Sequence, residues 1–237
     1  MPPALQSAPP WEPVLFEGHC LEFAEATKTF FRQAIEPSCQ ALRPIVGAEP
    51  TTSEERTDAK LDGWESLRTA ELEMHRSFAL ALGGMWERHF RQVLWHSTIL
   101  LPESERAAVR KLSEQGNWDE MCKAFERIRR FPLTDFWMYD DLQLLHRVAS
   151  AVRHGTGPAA KWVHDRRPDL FADHDVRSGW FAFFTLGGEE AYSVNKLDLP
   201  LDQLRIFKDA IVEFWRSIER LREKYRVSHE LPAVGTE

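Results

Sequence analysis

The sequence predicts a mainly α-helical bundle of up-and-down helices, with one small β-hairpin inserted before the C-terminal helix. Three observations carry this. Apolar residues recur at helical spacing over several long stretches, capping signals separate those stretches, and strand-like patterning is confined to residues 179–197. At 237 residues the chain is long enough for one sizeable core or two small ones. We expect a flexible leader over 1–12, a single helical domain over 13–227 and a loose tail over 228–237.

Taken in order, a helical pattern runs from about Val14 to Leu42 through Leu15, Leu21, Phe23, Phe30, Phe31 and Ile35. Pro37 lies inside it and should kink or split the helix, because proline lacks the N–H and its ring meets the carbonyl four residues back. Residues 44–61, rich in Pro, Thr and charge, read as a loop. Asp62 should then cap a long helix, with Glu65 completing a capping box. Trp64, Leu67, Met74, Phe78, Leu82 and Met85 form its apolar stripe, which continues through Trp86, Phe90, Val93 and Leu94 to about Leu100. Gly83 and Gly84 weaken that helix intrinsically. They imply a kink or the close approach of another backbone.

A shorter helix should run from Glu103 to Gln115 and stop at Gly116. Asn117 and Glu120 form a capping box for the next, which ends in Arg127, Arg129 and Arg130 before Pro132. Another helix should begin near Asp135 and stop at Gly155, a natural residue after a helix end. A short helix is expected at 158–164. Aromatic runs at 179–186 and 191–197, flanking Gly187 and Gly188, give the hairpin. The last helix covers 201–226 with Leu204, Phe207, Ile211, Phe214, Trp215, Ile218 and Leu221 on its apolar face.

Composition narrows function. A net charge of −7 argues against a general nucleic-acid coat, which would be basic. Residues 146–167 run the other way: Arg147, Arg153, Lys161, Arg166 and Arg167 stand against Asp165 alone. Residues 1–13 have neither the basic start nor the apolar run of a signal peptide, and no window approaches the length of a membrane span. Cys20, Cys39 and Cys122 contain no C-x-x-C, so reduced thiols and a cytoplasmic protein are the expectation.

Metal chemistry has no pattern to rest on. Glu71 precedes His75 by four and Glu87 precedes His89 by two, whereas a di-iron bundle needs Glu-x-x-His. His174 and Asp175 stand in a predicted loop without partner ligands. Zinc-type Cys/His spacing and a phosphate-binding glycine loop are also missing, so we expect no metal and no cofactor.

One helix face remains. Arg147, Ser150 and His154 share it, Asp140 and Gln143 extend it, and Met138, Leu142, Leu145, Val148, Ala149 and Val152 lie away from it. The plain structural explanation is a surface helix whose terminal His complements the dipole. The chemical explanation is phosphodiester cleavage without a metal. A neutral imidazole can take the proton of a ribose 2′-OH, and a guanidinium can hold the phosphate bidentately as charge builds. Arg147 and His154 are thus the candidate catalytic pair, and Ser150, Arg153 and Lys161 the candidate substrate-binding residues.

The same residues carry a resemblance. A helix ending Arg147-(x)6-His154, then Gly155, resembles the Arg-x4–6-His signature of the HEPN superfamily. The strings Ser150-Ala-Val-Arg153-His154-Gly155, Gly157, and Pro168-Asp-Leu-Phe171 are similar to those of a bacterial subgroup of HEPN-like proteins, as is Gly84-Met-Trp-Glu87-Arg-His-Phe-Arg-Gln-Val. Two positions depart from the pattern: Val148 where a polar residue is usual, and Ser150 where the subgroup has Asn.

The resemblance implies a homodimeric bundle and a metal-independent endoribonuclease of a toxin–antitoxin or phage-defence system. Arg147 and His154 would act across the dimer cleft, on RNA, with an antitoxin or defence component as protein partner. Two alternatives stay open. One is a non-catalytic HEPN-like module that dimerises or binds RNA or a partner, using Trp64, Trp86, Trp95 and the hairpin aromatics. The other is an unrelated helical bundle that binds a small ligand.

Overall fold

The first helix meets its proline without breaking. In the computed structural model, which describes residues 19–46, 58–171 and 191–228, α1 (Cys20–Phe30) runs into a π-helical stretch, Phe31–Ile35, and then into α2 (Glu36–Val46). Pro37 cannot donate to the carbonyl four residues back, and its ring would crowd that carbonyl. The wider turn relieves the conflict: the Glu36 N–H bonds to the Phe31 carbonyl, five residues back. Cys20, Ala24, Thr27, Phe31, Ile35 and Cys39 are the buried positions along the way.

The long helix α3 (Asp58–Ser97) starts four residues before the expected Asp62 and ends in a 3-10 turn, Thr98–Leu100. Next come α4 (Glu103–Gln115), α5 (Trp118–Arg129), a 3-10 turn at Leu133–Asp135, α6 (Tyr139–His154), α7 (Pro158–Arg166), a 3-10 turn at Pro168–Leu170 and α8 (Leu201–Ser228). The capping box at the start of α5 is present in full. Asn117 Oδ1 accepts from the Glu120 N–H at 3.1 Å, and Glu120 accepts from the Asn117 N–H at 2.7 Å.

The described residues divide into two units, one of 19–28, 84–143 and 208–228, the other of 29–46, 58–83, 144–171 and 191–207. The first unit is built on aromatic rings. Trp86 stacks on Phe90 at 5.2 Å and lies 5.2 Å from Trp118, and Phe136 meets Phe214 at 5.1 Å. Each ring of this kind buries a large apolar area, and each pair adds about 0.5–1.5 kcal/mol beyond it. Arg91 closes the α4–α5 corner by donating to the Ser113 and Gly116 carbonyls at 2.9 and 2.7 Å.

The second unit is organised by close approach and a buried guanidinium. A Cβ on Gly83 would stand 2.8 Å from the Ala149 Cβ and 3.6 Å from Leu145 Cδ1. Of the two readings of the glycine pair, close approach is therefore the one realised at Gly83. Arg76 is buried on α3 and donates to the Leu197 and Asn195 carbonyls at 2.9 and 2.7 Å. Arg68 pairs with Asp198 at 2.5 Å. These contacts explain why His75, Arg76 and Ala79 are buried while the expected stripe of Trp64, Leu67, Met74 and Phe78 is only half-buried.

The expected hairpin is not seen among the described residues. Its first arm and its turn lie outside them. Over 191–197 the chain makes a turn and a 3-10 turn, Val194–Lys196, rather than a strand. A single antiparallel bridge joins Phe171 to Leu197, and the Asp198 N–H donates to the Leu170 carbonyl at 2.7 Å. No described helix is long and apolar enough to cross a membrane.

The glycine pair gives a direct comparison. Gly83→Ala should destabilise the protein by about 1–3 kcal/mol through overpacking. Gly84→Ala meets nothing within 4 Å and should stabilise it by roughly 0.5–1 kcal/mol through helix propensity. Urea denaturation of the two variants separates these outcomes, and equal midpoints would contradict the close approach.

A second expectation concerns pH. His89 stacks on Phe23 at 4.0 Å, 10° from parallel. Burial, helped by the Arg88 charge, holds its imidazole below the ordinary range. The unfolded chain then binds the extra proton, so stability falls as pH drops below about 6.5 toward the folded value. His89→Phe, which keeps the ring stack, should flatten that part of the midpoint-against-pH curve.

Candidate functional site

The site is built on α6 and α7. Helix α6 carries Asp140 and Asp141 in its first turn and Arg153 and His154 in its last, each complementing the helix dipole. Leu142, Leu145, Val148 and Ala149 are buried, and so are Leu144 and Ala151. The buried arc is thus wider than the sequence pattern implies, and the polar stripe narrower.

Gly155 ends the helix. Its φ is +78°, and its N–H donates to the Ala151 carbonyl at 2.8 Å. That left-handed conformation suits glycine because a Cβ there crowds the following carbonyl. Gly157 is extended, and Pro158 opens α7 at a position where no N–H is needed.

The sequence-predicted residues fall as follows. Arg147 and Ser150 are half-buried, while His154, Arg153 and Lys161 are exposed. Arg147 and His154 share a face about two helical turns apart, roughly 10 Å along the axis. Arg153 is adjacent to His154 in sequence and therefore about 100° around the helix from it. Lys161 pairs with Asp165 through both carboxylate oxygens, at 3.1 and 2.9 Å, and this bond holds the Asp165 carboxyl below its usual range. Val148, the departure beside the motif arginine, is fully buried and works as core.

Two residues that the motif does not mark complete the cluster. The Arg147 guanidinium lies over the Trp162 ring at 5.5 Å, and the Arg166 guanidinium lies over the same ring at 4.1 Å. The Arg147 Nε is buried without a hydrogen-bond partner. Trp162 and Arg166 are four apart on α7, so they are helical neighbours. That spacing inside the basic stretch was the signal available in the sequence. The other charges nearby are engaged: Arg167 grips Asp169 with two hydrogen bonds, at 2.8 and 2.7 Å, and reaches Gln203 at 3.1 Å.

Other candidates take structural roles. His75 is buried on α3. Burial holds its imidazole below the ordinary range against the opposing Glu71 and Asp198 charges. Among the described residues no three His, Cys, Asp or Glu side chains gather to hold a metal ion. His174 and Asp175 lie outside the described residues. Burial pushes the Cys20 thiol up to about 12 and those of Cys39 and Cys122 up to about 11, which makes them poor nucleophiles. Trp86, named above as a candidate partner surface, is corrected to a core residue at 1% exposure. Trp64 and Trp95 are half-buried, and Arg110 lies over the Trp95 ring at 4.6 Å. Trp137, not singled out in the sequence, is 56% exposed.

No family model, no curated protein and no solved structure matches this chain.

The helix stop next to His154 is testable by itself. Gly155→Ala should cost about 1–2 kcal/mol, because an L-residue resists the left-handed conformation. Gly155→Asn should cost less. Chemical denaturation of both variants checks the order.

Proposed function

We propose that this chain is an HEPN-like, metal-independent endoribonuclease, with Arg147 and His154 as its catalytic pair. One observation supports this most. His154 is exposed in the last turn of α6, and the half-buried Arg147 on the same face has no hydrogen bond or ion pair among the described residues. An imidazole open to solvent can exchange a proton. A guanidinium free of carboxylates keeps its fork of donors for a phosphate.

In this reading the His154 imidazole removes the 2′-OH proton. The 2′ oxygen attacks the adjacent phosphorus and the bond to the 5′ oxygen breaks. That oxygen takes up a proton, leaving a 2′,3′-cyclic phosphate and a 5′-hydroxyl. Arg147 binds the non-bridging oxygens, where negative charge accumulates. The two-turn spacing is long for one phosphate to touch both residues of one helix. The dimer implied by the HEPN resemblance resolves this, with Arg147 of one copy and His154 of a second at the same phosphate. A toxin or phage-defence setting, with a protein that restrains or delivers the activity, follows from the same resemblance.

A second reading, a non-catalytic HEPN-like module that docks a protein, is favoured by Trp137, whose indole is 56% exposed between the buried Phe136 and Met138. It predicts association without cleavage.

The deciding assay incubates purified protein with mixed RNA in EDTA. Wild type should yield cyclic-phosphate ends, and His154→Ala and Arg147→Ala should each lower the rate by at least about 100-fold. Equal rates for all three proteins, or no cleavage by wild type, would sink the enzymatic reading.

A further inference from the structure

The two guanidiniums on Trp162 form no salt bridge among the described residues of α6 and α7. Arg147 comes from α6 and Arg166 from α7, and they lie 5.5 and 4.1 Å from one ring centroid. An indole face attracts a cation through its quadrupole but carries no net charge to neutralise it. The nearby carboxylates are engaged elsewhere, Asp165 with Lys161 and Asp169 with Arg167. Neither Arg147 nor Arg166 has a hydrogen bond or ion pair among the described residues, and the Arg147 Nε is buried with no acceptor. Two like charges held on one ring repel each other, and each retains a planar set of donors. Anionic oxygens placed against each relieve the repulsion and fill those donors.

We propose that Trp162 and Arg166 form a second phosphate-binding position beside the Arg147 that takes the scissile phosphate, and that Arg166 holds the neighbouring backbone phosphate of an RNA strand. This rests on the ribonuclease reading and names the residues that would hold the strand beside the scissile bond. Trp162 is a positioning residue: its ring fixes the direction of both guanidiniums. Arg166 is a binding residue that contacts phosphate directly. It replaces Lys161 as the main contact from α7, since Lys161 is tied to Asp165 in an exposed pair. Phosphate contacts of this kind are salt-dependent and indifferent to base sequence.

The test separates this inference from catalysis. Fluorescence anisotropy measures binding of a labelled single-stranded RNA to the His154→Ala protein, which is not expected to cut. Arg166→Gln and Trp162→Leu, each in that background, should weaken binding at least about tenfold. Each should also lower the slope of log affinity against log salt by about 0.7. Lys111→Ala, an exposed lysine on α4, is the control and should change neither quantity. Circular dichroism checks folding, and Arg166→Gln alters an exposed side chain, so it remains decisive if Trp162→Leu misfolds. A competing arm adds ATP at the same phosphate concentration, which should displace little RNA.

Affinities within twofold of the parent for Arg166→Gln, no RNA binding by the parent, or full displacement by ATP would each overturn the proposal. RNA cleavage that is lost with His154 but indifferent to Arg166 would leave the ribonuclease reading standing and remove this one.

Discussion

The second unit depends on one missing side chain. At Gly83 the backbone of α3 admits the Ala149 methyl and the Leu145 side chain. This contact fixes the rotation of α6 about its own axis. Once Leu145 and Ala149 face Gly83, Arg147 and His154 must face the other way, because residues two apart or five apart lie on nearly opposite sides of a helix. Small residues allow such an approach, and dispersion falls off steeply when the fit is lost. The orientation of the candidate site is thus set by a contact in which none of its own residues takes part.

Polar anchoring supports that packing. Arg76 reaches two backbone carbonyls beyond the far end of the α7 region, and Arg68 reaches Asp198 beside them. A buried guanidinium is costly unless its donors are filled, and here backbone carbonyls fill them. The segment leading into α8 is thereby fastened to α3 at Asn195, Leu197 and Asp198. In the first unit, Arg91 and the Asn117–Glu120 box tie the α4–α5 corner in the same manner, with side chains meeting backbone groups that a helix end leaves open.

Helix ends were legible in the sequence wherever the signal is local. Asn117 with Glu120, Gly155 after His154 and Pro158 at the start of α7 each act within four residues, and each appears where the pattern put it. Pro37 predicts a kink or a split, and the structure instead has a widened turn, Phe31–Ile35, just before it, with no break in the helix. The burial of Arg76 was not legible, because its acceptors lie more than a hundred positions along the chain. The same limit applies to the site. Helical spacing placed Arg147 and His154 on one face, but the meeting of Arg147 with Trp162 depends on how α7 folds back after the Gly155 turn. Over 191–197 the described chain makes a turn, a 3-10 turn and one bridge at Leu197, with Ser193 and Leu197 as its buried residues; the expected first arm at 179–186 lies outside the described residues.

The Phe171–Leu197 bridge has a consequence for how this sequence can change over time. The chain departs at Phe171 and returns at Leu197, and its return is secured by Arg76 and by the Asp198–Leu170 hydrogen bond. Closing a loop between fixed ends costs only slowly more as the loop lengthens, about 0.6 kcal/mol for each doubling. A change in the number of residues between these two anchors therefore alters the closure cost only slightly, and it should leave the described helices on either side in register.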